Sequence, residues 1–281
     1  MRGAVNPVSN TPLNAPIDPA TAPIFVGGVS SSGKTPLRII LSGHPDLSLT
    51  RKTDLWDRYY GRFGDLSARP ALERCLEVLA ADPALTRLAP DVDAVRRELA
   101  TAPPTYARLF GVLHRQAAAR TGQGRWGEQL GFVERYADPI FADFPDARMI
   151  HMVRDAGDRM TAVLGAGTPR PGRRGWESAK WRCSNDLATR NHLHHPGGYR
   201  VVAYEALVDD TEATVRAVCA FVGLEYVDEI ADGVATFSGR VAAGGSTVER
   251  TSASDRRRAS DRIGMTAWRV LERRRAARIG R

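Results

Sequence analysis

The stretch Ile24-Phe25-Val26-Gly27-Gly28-Val29-Ser30-Ser31-Ser32-Gly33-Lys34-Thr35-Pro36-Leu37-Arg38-Ile39-Ile40-Leu41 decides the fold. Its first three residues form an apolar run of the kind that makes a buried strand. Gly27 to Gly33 is a loop of small residues, and Leu37 to Leu41 reads as a helix. Pro36 suits a first helical turn, where its missing N–H has no partner to lose. Strand, small-residue loop and helix together make an anion cradle. The loop amides and the positive end of the helix converge on one point.

Working outward, Gly28 to Thr35 fits the pattern G-x-x-x-x-G-K-[ST] of loops that bind nucleoside triphosphates. The bland alternative is a glycine-rich turn that binds nothing. The longer segment VGGVSSSGKTPLRIILSGHPDL, with Gly43-His44-Pro45-Asp46-Leu47 after the helix, resembles the opening of sulfotransferases that use 3′-phosphoadenosine 5′-phosphosulfate (PAPS). That resemblance implies an α/β fold of P-loop-like type, with a central parallel sheet and helices on both faces. It also implies that Gly28, Ser30, Ser31, Ser32, Gly33, Lys34 and Thr35 cradle the donor.

Three further segments extend the resemblance, in the family's order. Arg125-Trp126-Gly127-Glu128-Gln129 is similar to a Trp-Gly-Asp/Glu-Lys stretch that ends a short strand beside the donor sulfate. Gln129 stands where relatives carry the lysine, and Glu128 remains as a base or an orienter. Asp146 to Val153 is a mostly apolar central strand. It runs into Arg154-Asp155-Ala156-Gly157-Asp158-Arg159, which resembles the segment that grips the donor's 3′-phosphate. An arginine at a strand's C-terminal end can make a bidentate phosphate contact. The plain alternative is an ion pair of Arg154 with Asp158. Gly157 and Ala162 replace the second arginine and the serine of that motif, with Thr161 beside the latter. Tyr199 to Val208, YRVVAYEALV, is frequent in the family, and the resemblance places Tyr204 by the donor's adenine.

The loop's own departures matter. Relatives carry a basic residue where Ser31 stands and a threonine where Lys34 stands, so Lys34 replaces a displaced loop cation. In the register of the resemblance, Lys52 occupies the position of the glutamate that takes the acceptor's proton. A protonated lysine is no base, and Asp54 is the nearest carboxylate. The catalytic candidates are therefore Lys34, Asp54 and Glu128, with no metal expected. An alternative keeps the fold and changes the donor to ATP or GTP with Mg²⁺. Lys34 would then reach the β/γ-phosphates, Thr35 would ligate the metal, and Asp155 or Glu128 would help hold it. A third reading is a degenerate homologue that binds a nucleotide without chemistry.

The remaining segments frame this site. Residues 1–22, rich in Pro, Asn, Thr and Ala, read as a disordered or strap-like arm, and 23–281 as one α/β domain. Helical spacing recurs over Pro70–Ala81, Asp91–Ala100 and Thr105–Arg120, so 67–122 is expected to cap the acceptor site. Trp56, Tyr59, Tyr60, Phe63 and Leu66 either line an acceptor pocket or pack the core. Leu164–Gly175 reads as a loop and candidate lid, Trp176–Asn191 as a helix, and His192, His194 and His195 as loop residues. Asp209 or Asp210 caps a helix through Val222, which Gly223 ends. Asp255–Ile279 reads as an amphipathic, arginine-covered helix.

Composition bounds the rest. The net charge of +8 sits largely in Arg256-Arg257-Arg258 and Arg273-Arg274-Arg275. No nucleic-acid-binding signature accompanies it, so nucleic acid is not expected as a partner, and the sulfotransferase resemblance implies a small-molecule acceptor. No apolar run reaches membrane-span length. Cys75, Cys183 and Cys219 show neither paired nor metal-site spacing, which implies a reduced, cytoplasmic setting. Acceptor identity and oligomeric state leave no pattern in the chain.

Overall fold

The computed structural model describes residues 22–51, 53–166 and 170–243. In chain order these give β1 (Ile24–Gly27), α1 (Lys34–Leu41), β2 (Leu47–Arg51), α2 (Leu55–Arg58), α3 (Arg69–Ala80), α4 (Val92–Leu99), α5 (Tyr106–Arg120), β3 (Arg125–Gln129), α6 (Ala137–Asp143), β4 (Arg148–Val153), α7 (Ala156–Gly165), α8 (Arg173–His194), β5 (Tyr199–Ala203), α9 (Tyr204–Asp209), α10 (Thr211–Val222) and α11 (Asp228–Ala242). Short 3₁₀ turns occupy Pro83–Leu88 and Val133–Tyr136.

The five strands form one parallel sheet in the order β2-β3-β1-β4-β5. β1 is central and fully buried, as a strand covered on both faces must be. Alternate residues of each strand feed two cores. Phe25, Trp126, Met149 and Tyr199 pack on one face with Trp56, Leu76, Phe110 and Tyr136. Ile24, Val26, Ile150, Met152 and Val202 pack on the other with α1, α10 and α11, through Leu37, Ile40, Val218 and Ile230. The aromatic cluster after β2 is core: Trp56 meets Phe110 edge-on at 5.1 Å and stacks on Tyr60 at 5.6 Å. Truncating a buried aromatic such as Trp56 would cost about 3–5 kcal/mol.

Caps set the helix boundaries. Asp91, Thr105, Asp155 and Asp210 each accept the first-turn amides of α4, α5, α7 and α10. Gly223, in the left-handed region, ends α10. Several expectations are corrected. α8 begins before Trp176 and carries His192 and His194, with His195 as its C-cap. α7 extends to Gly165 and α8 starts at Arg173, so both ends of the expected lid loop are helix. β2 and α11 had no counterpart in the sequence reading. Lys52, residues 1–21 and the expected C-terminal helix lie outside the described residues.

Candidate functional site

The parallel register brings the strand ends together. Val26 pairs with Gln129, Arg51 with Gln129, Gly27 with His151 and Val153 with Ala203. The segments that follow, from Gly28, Thr53, Leu130, Arg154 and Tyr204, therefore leave the sheet at one edge. Ligands of open α/β sheets bind at that carboxyl edge.

The loop after β1 is held from several sides. Gly28 has φ +114°, and a Cβ there would lie 2.3 Å from the Met152 carbonyl oxygen. Gly33 has φ +92°, and a Cβ there would lie 2.3 Å from the Tyr204 ring. Both positions require glycine. Ser31 is also left-handed. The Lys34 ammonium is buried and donates to the Val29 carbonyl at 2.5 Å. Arg159, fully buried, donates from Nε to the Ser30 carbonyl at 3.0 Å and from Nη1 to the Glu177 carbonyl at 2.9 Å. Burial lowers its guanidinium from the ordinary range, and Glu177 opposes that shift.

Arg154 and Tyr204 form one wall. Arg154 donates to the Ser31 carbonyl at 3.3 Å, and its guanidinium carbon lies 4.4 Å from the Tyr204 ring centre. The Trp181 indole N–H donates to the Arg154 carbonyl at 2.8 Å. The expected alternative, an Arg154–Asp158 ion pair, gives way to these contacts. Two buried polar atoms here have no acceptor or donor among the described residues: Ser32 Oγ and Arg154 Nε. An orphaned hydroxyl inside a glycine cradle and a guanidinium edge fit an oxyanion-bearing donor. The first turn of α1 adds amides that have no acceptor within the helix.

Across β1, Glu128 is fully buried, and its two oxygens meet different neighbours. Oε1 accepts the Thr53 N–H at 2.8 Å and also the Thr53 hydroxyl. Oε2 lies 3.3 Å from His114 Nε2. Thr50 Oγ1 donates to the Gly127 carbonyl at 3.0 Å, so His114 Nδ1, 3.2 Å away, must donate to Thr50. His114 Nε2 and Glu128 Oε2 face each other there, buried and without a hydrogen-bond partner among the described residues. His114 also stacks on Trp126 at 4.9 Å. Glu128 thus fixes Thr53, and Asp54 follows in the left-handed region, half-buried, at the start of α2.

The carboxylates named for a metal are committed elsewhere. Asp155 caps α7 through Gly157 and Asp158 N–H groups at 2.8 and 3.0 Å. Thr161, beside Ala162, donates back to the Gly157 carbonyl. His195 meets Asp138 at 3.0 Å and stacks on Phe141. Among the described residues no group of three or more His, Cys, Asp or Glu is arranged to hold a metal ion.

Sequence reading missed Glu134, His114, His151, Arg159 and Ser184. None has a role in the motif reading, Arg159 included, although it closes the Arg154–Arg159 segment. A buried charge is the signal that a sequence does not print.

The model of the sulfotransferase family matches residues 23–229, and the chain belongs to that family. The sulfotransferase domain of the olefin synthase from Synechococcus PCC 7002 is 20% identical, covers 88% of this chain and 87% of its own, and superposes with a TM-score of 0.50. Sulfotransferase STF9 from Mycobacterium avium is 14% identical, with 81% and 69% covered and a TM-score of 0.48. The sulfotransferase domain of the curacin biosynthetic pathway is 16% identical, with 88% and 96% covered and a TM-score of 0.47. No curated protein matches the chain significantly. No described helix is long and apolar enough to cross a membrane.

Proposed function

We propose that this sulfotransferase takes its sulfuryl group from PAPS and passes it to a hydroxyl or amine of a small-molecule acceptor. The observation that carries this reading is the pair of buried, unsatisfied polar atoms, Ser32 Oγ and Arg154 Nε, beside a glycine-lined loop. PAPS, when bound, brings a sulfuryl group already attached to a good leaving phosphate. Gly28, Ser30, Ser31, Ser32, Gly33 and Thr35 would cradle its 5′ side, and Arg154 its 3′-phosphate. Tyr204, packed on Gly33 and under Arg154, would flank the adenine.

Such a transfer is mostly positioning and charge stabilisation. Lys34, held against the Val29 carbonyl, keeps a positive charge inside the loop where negative charge develops. Glu128 orients: it holds Thr53 by backbone and side chain, and so sets Asp54. Asp54 is the carboxylate we assign to the acceptor's proton. A reduced, cytoplasmic setting accords with three free thiols.

The intact G-x-x-x-x-G-K-T supports a second reading, an ATP- or GTP-dependent phosphotransferase with Mg²⁺. Occupation of Asp155 and Glu128 by other partners counts against it. The test is transfer of labelled sulfate from PAPS to a panel of hydroxyl and amine acceptors, with and without Mg²⁺. Metal-independent transfer is expected. Phosphate transfer from ATP or GTP only when Mg²⁺ is present would contradict it, and nucleotide binding without turnover would make the chain a degenerate homologue.

A further inference from the structure

Behind the loop lies a buried polar chain with no part in the proposed transfer. Tyr199 on β5, His151 on β4, Ser184 on α8 and Glu134 in the turn Val133–Tyr136 are all at most 2% exposed. The Tyr199 hydroxyl is 2.5 Å from His151 Nδ1, and His151 Nε2 is 2.8 Å from Ser184 Oγ. Ser184 donates to Glu134 Oε1 at 2.7 Å, and the Gly28 N–H donates to Glu134 Oε2 at 3.0 Å.

The protons can be placed by counting. Ser184 has one proton and gives it to Glu134, so His151 Nε2 must donate to Ser184. A neutral imidazole then accepts at Nδ1, which takes the Tyr199 proton. Every donor has one acceptor, and the chain runs one way, from β5 to the loop. The charges agree with this. Burial lowers His151, against the pull of Glu134, and Lys34 pushes the same way as burial. Burial alone would raise Glu134, but His151, Ser184 and the Gly28 amide hold it below the usual carboxylate range. Ser184 is no nucleophile here, since its proton goes to the carboxylate and no solvent or substrate reaches it. Asn191 Nδ2 fixes the far side by donating to the Glu134 carbonyl at 2.7 Å.

We propose that Glu134 is the positioning residue of the anion-binding loop. By accepting the Gly28 N–H from behind, it fixes the peptide plane from which the rest of the loop turns toward the ligand. Gly28 cannot be held there by a side chain of its own, because a Cβ would strike the Met152 carbonyl. Ser184, His151 and Tyr199 keep the carboxylate in one orientation. The inference rests on the loop being the donor site.

The test uses the full chain, adenosine 3′,5′-bisphosphate as probe, and the variants Glu134→Gln, Ser184→Ala and Tyr199→Phe. The Kd is read by calorimetry at a temperature where each variant is folded. The ¹H–¹⁵N resonance of Gly28 is read without ligand in glycine-labelled protein. Glu134→Gln is expected to weaken binding about tenfold or more and to move the Gly28 amide upfield, because a charged acceptor becomes neutral. Ser184→Ala is expected to weaken binding by a smaller factor, and Tyr199→Phe by the least. A merely structural role would lower every Tm and leave Kd in place. A Kd within about twofold of wild type for both Glu134→Gln and Ser184→Ala, below the effect of one charged hydrogen bond, would overturn the proposal. Should Glu134→Gln fail to fold, Ser184→Ala decides. Should the wild-type protein not bind the bisphosphate, the donor-site reading fails, and the ligand-free Gly28 resonance still tells whether Glu134 holds the loop.

Discussion

Arg154 and Tyr204 are the first residues beyond two paired strand ends, and the Arg154 guanidinium lies over the Tyr204 ring at 4.4 Å. The pairing of Val153 with Ala203 puts them side by side. A guanidinium stacked on an aromatic face keeps its N–H edge available for a phosphate while its plane is fixed. The same ring rests on Gly33, so one tyrosine ties the loop to the arginine.

Replacing Arg154 should therefore cost ligand affinity more than fold. Arg154→Ala is expected to weaken adenosine 3′,5′-bisphosphate binding by about 2 kcal/mol, roughly thirtyfold. Arg154→Lys should recover little of it, because an ammonium lacks the planar fork. Calorimetric titration of both variants checks this.

Gly33→Ala should disturb the ring that sits on it. The backbone there is left-handed, which costs an alanine about 1 kcal/mol, and the new methyl would meet the Tyr204 ring. Both Tm and bisphosphate affinity should fall. The double variant Gly33→Ala/Tyr204→Ala should lose less than the sum of the singles, because the clash is removed with the ring. Strict additivity would show that ring and loop are uncoupled.

Much of this site was legible from Gly28 to Thr35, Arg154 and YRVVAYEALV, because glycines, a strand-end arginine and a strand–helix junction each carry a local signature. The five-stranded sheet was partly legible, since β1, β4 and β5 are apolar runs. β2, LSLTR, alternates weakly and ends in charge, and α11 opens with acids and carries Gly233 and Gly239, so neither announced itself. Glu134 and His151 were invisible for a different reason. Their partners Ser184 and Tyr199 lie 50 and 48 residues away, and only the fold brings them together.

Glu128 offers a cleaner chemical test. Its Oε1 is held by the Thr53 N–H and hydroxyl, and Oε2 lies beside His114 Nε2. Glu128→Gln keeps an acceptor for Thr53 and offers an amide donor to His114 Nε2. Turnover is expected to fall less than about tenfold, against the 10²–10⁴-fold typical of losing a general base. Asp54→Asn should show the larger loss. Steady-state kinetics of the two variants separates the roles.

Acid should weaken the fold through His151. Burial depresses its folded pKa below the ordinary 6.5. Its contribution is therefore complete above pH 6.5 and is lost as pH falls below that value, because the unfolded chain takes up a proton that the native state refuses. The slope from this one group reaches at most about 1.4 kcal/mol per pH unit. Denaturant unfolding between about pH 7.5 and about pH 5, around the histidine range, should show it. His151→Gln should flatten that slope while lowering stability at neutral pH.

Lys34 is the cation proposed to carry the loop's chemistry. Its ammonium is buried against Val29 rather than exposed at the loop's rim. Lys34→Ala should reduce sulfuryl transfer by about a hundredfold, the scale of losing one preorganised electrostatic group. Retention of near wild-type donor binding and turnover would show that the loop does without its cation.

We propose above all that the loop and Arg154 form a donor site for a 3′-phosphorylated adenosine nucleotide. The most direct measurement is a thermal-shift comparison of adenosine 3′,5′-bisphosphate with ATP–Mg²⁺ and GTP–Mg²⁺. A ligand present at about a hundredfold over its Kd adds roughly 2.7 kcal/mol of stability. Stabilisation by the bisphosphate without metal, lost in Arg154→Ala, is the result predicted here. Stabilisation only by a triphosphate with Mg²⁺ would contradict it and make this chain a phosphotransferase on a sulfotransferase fold.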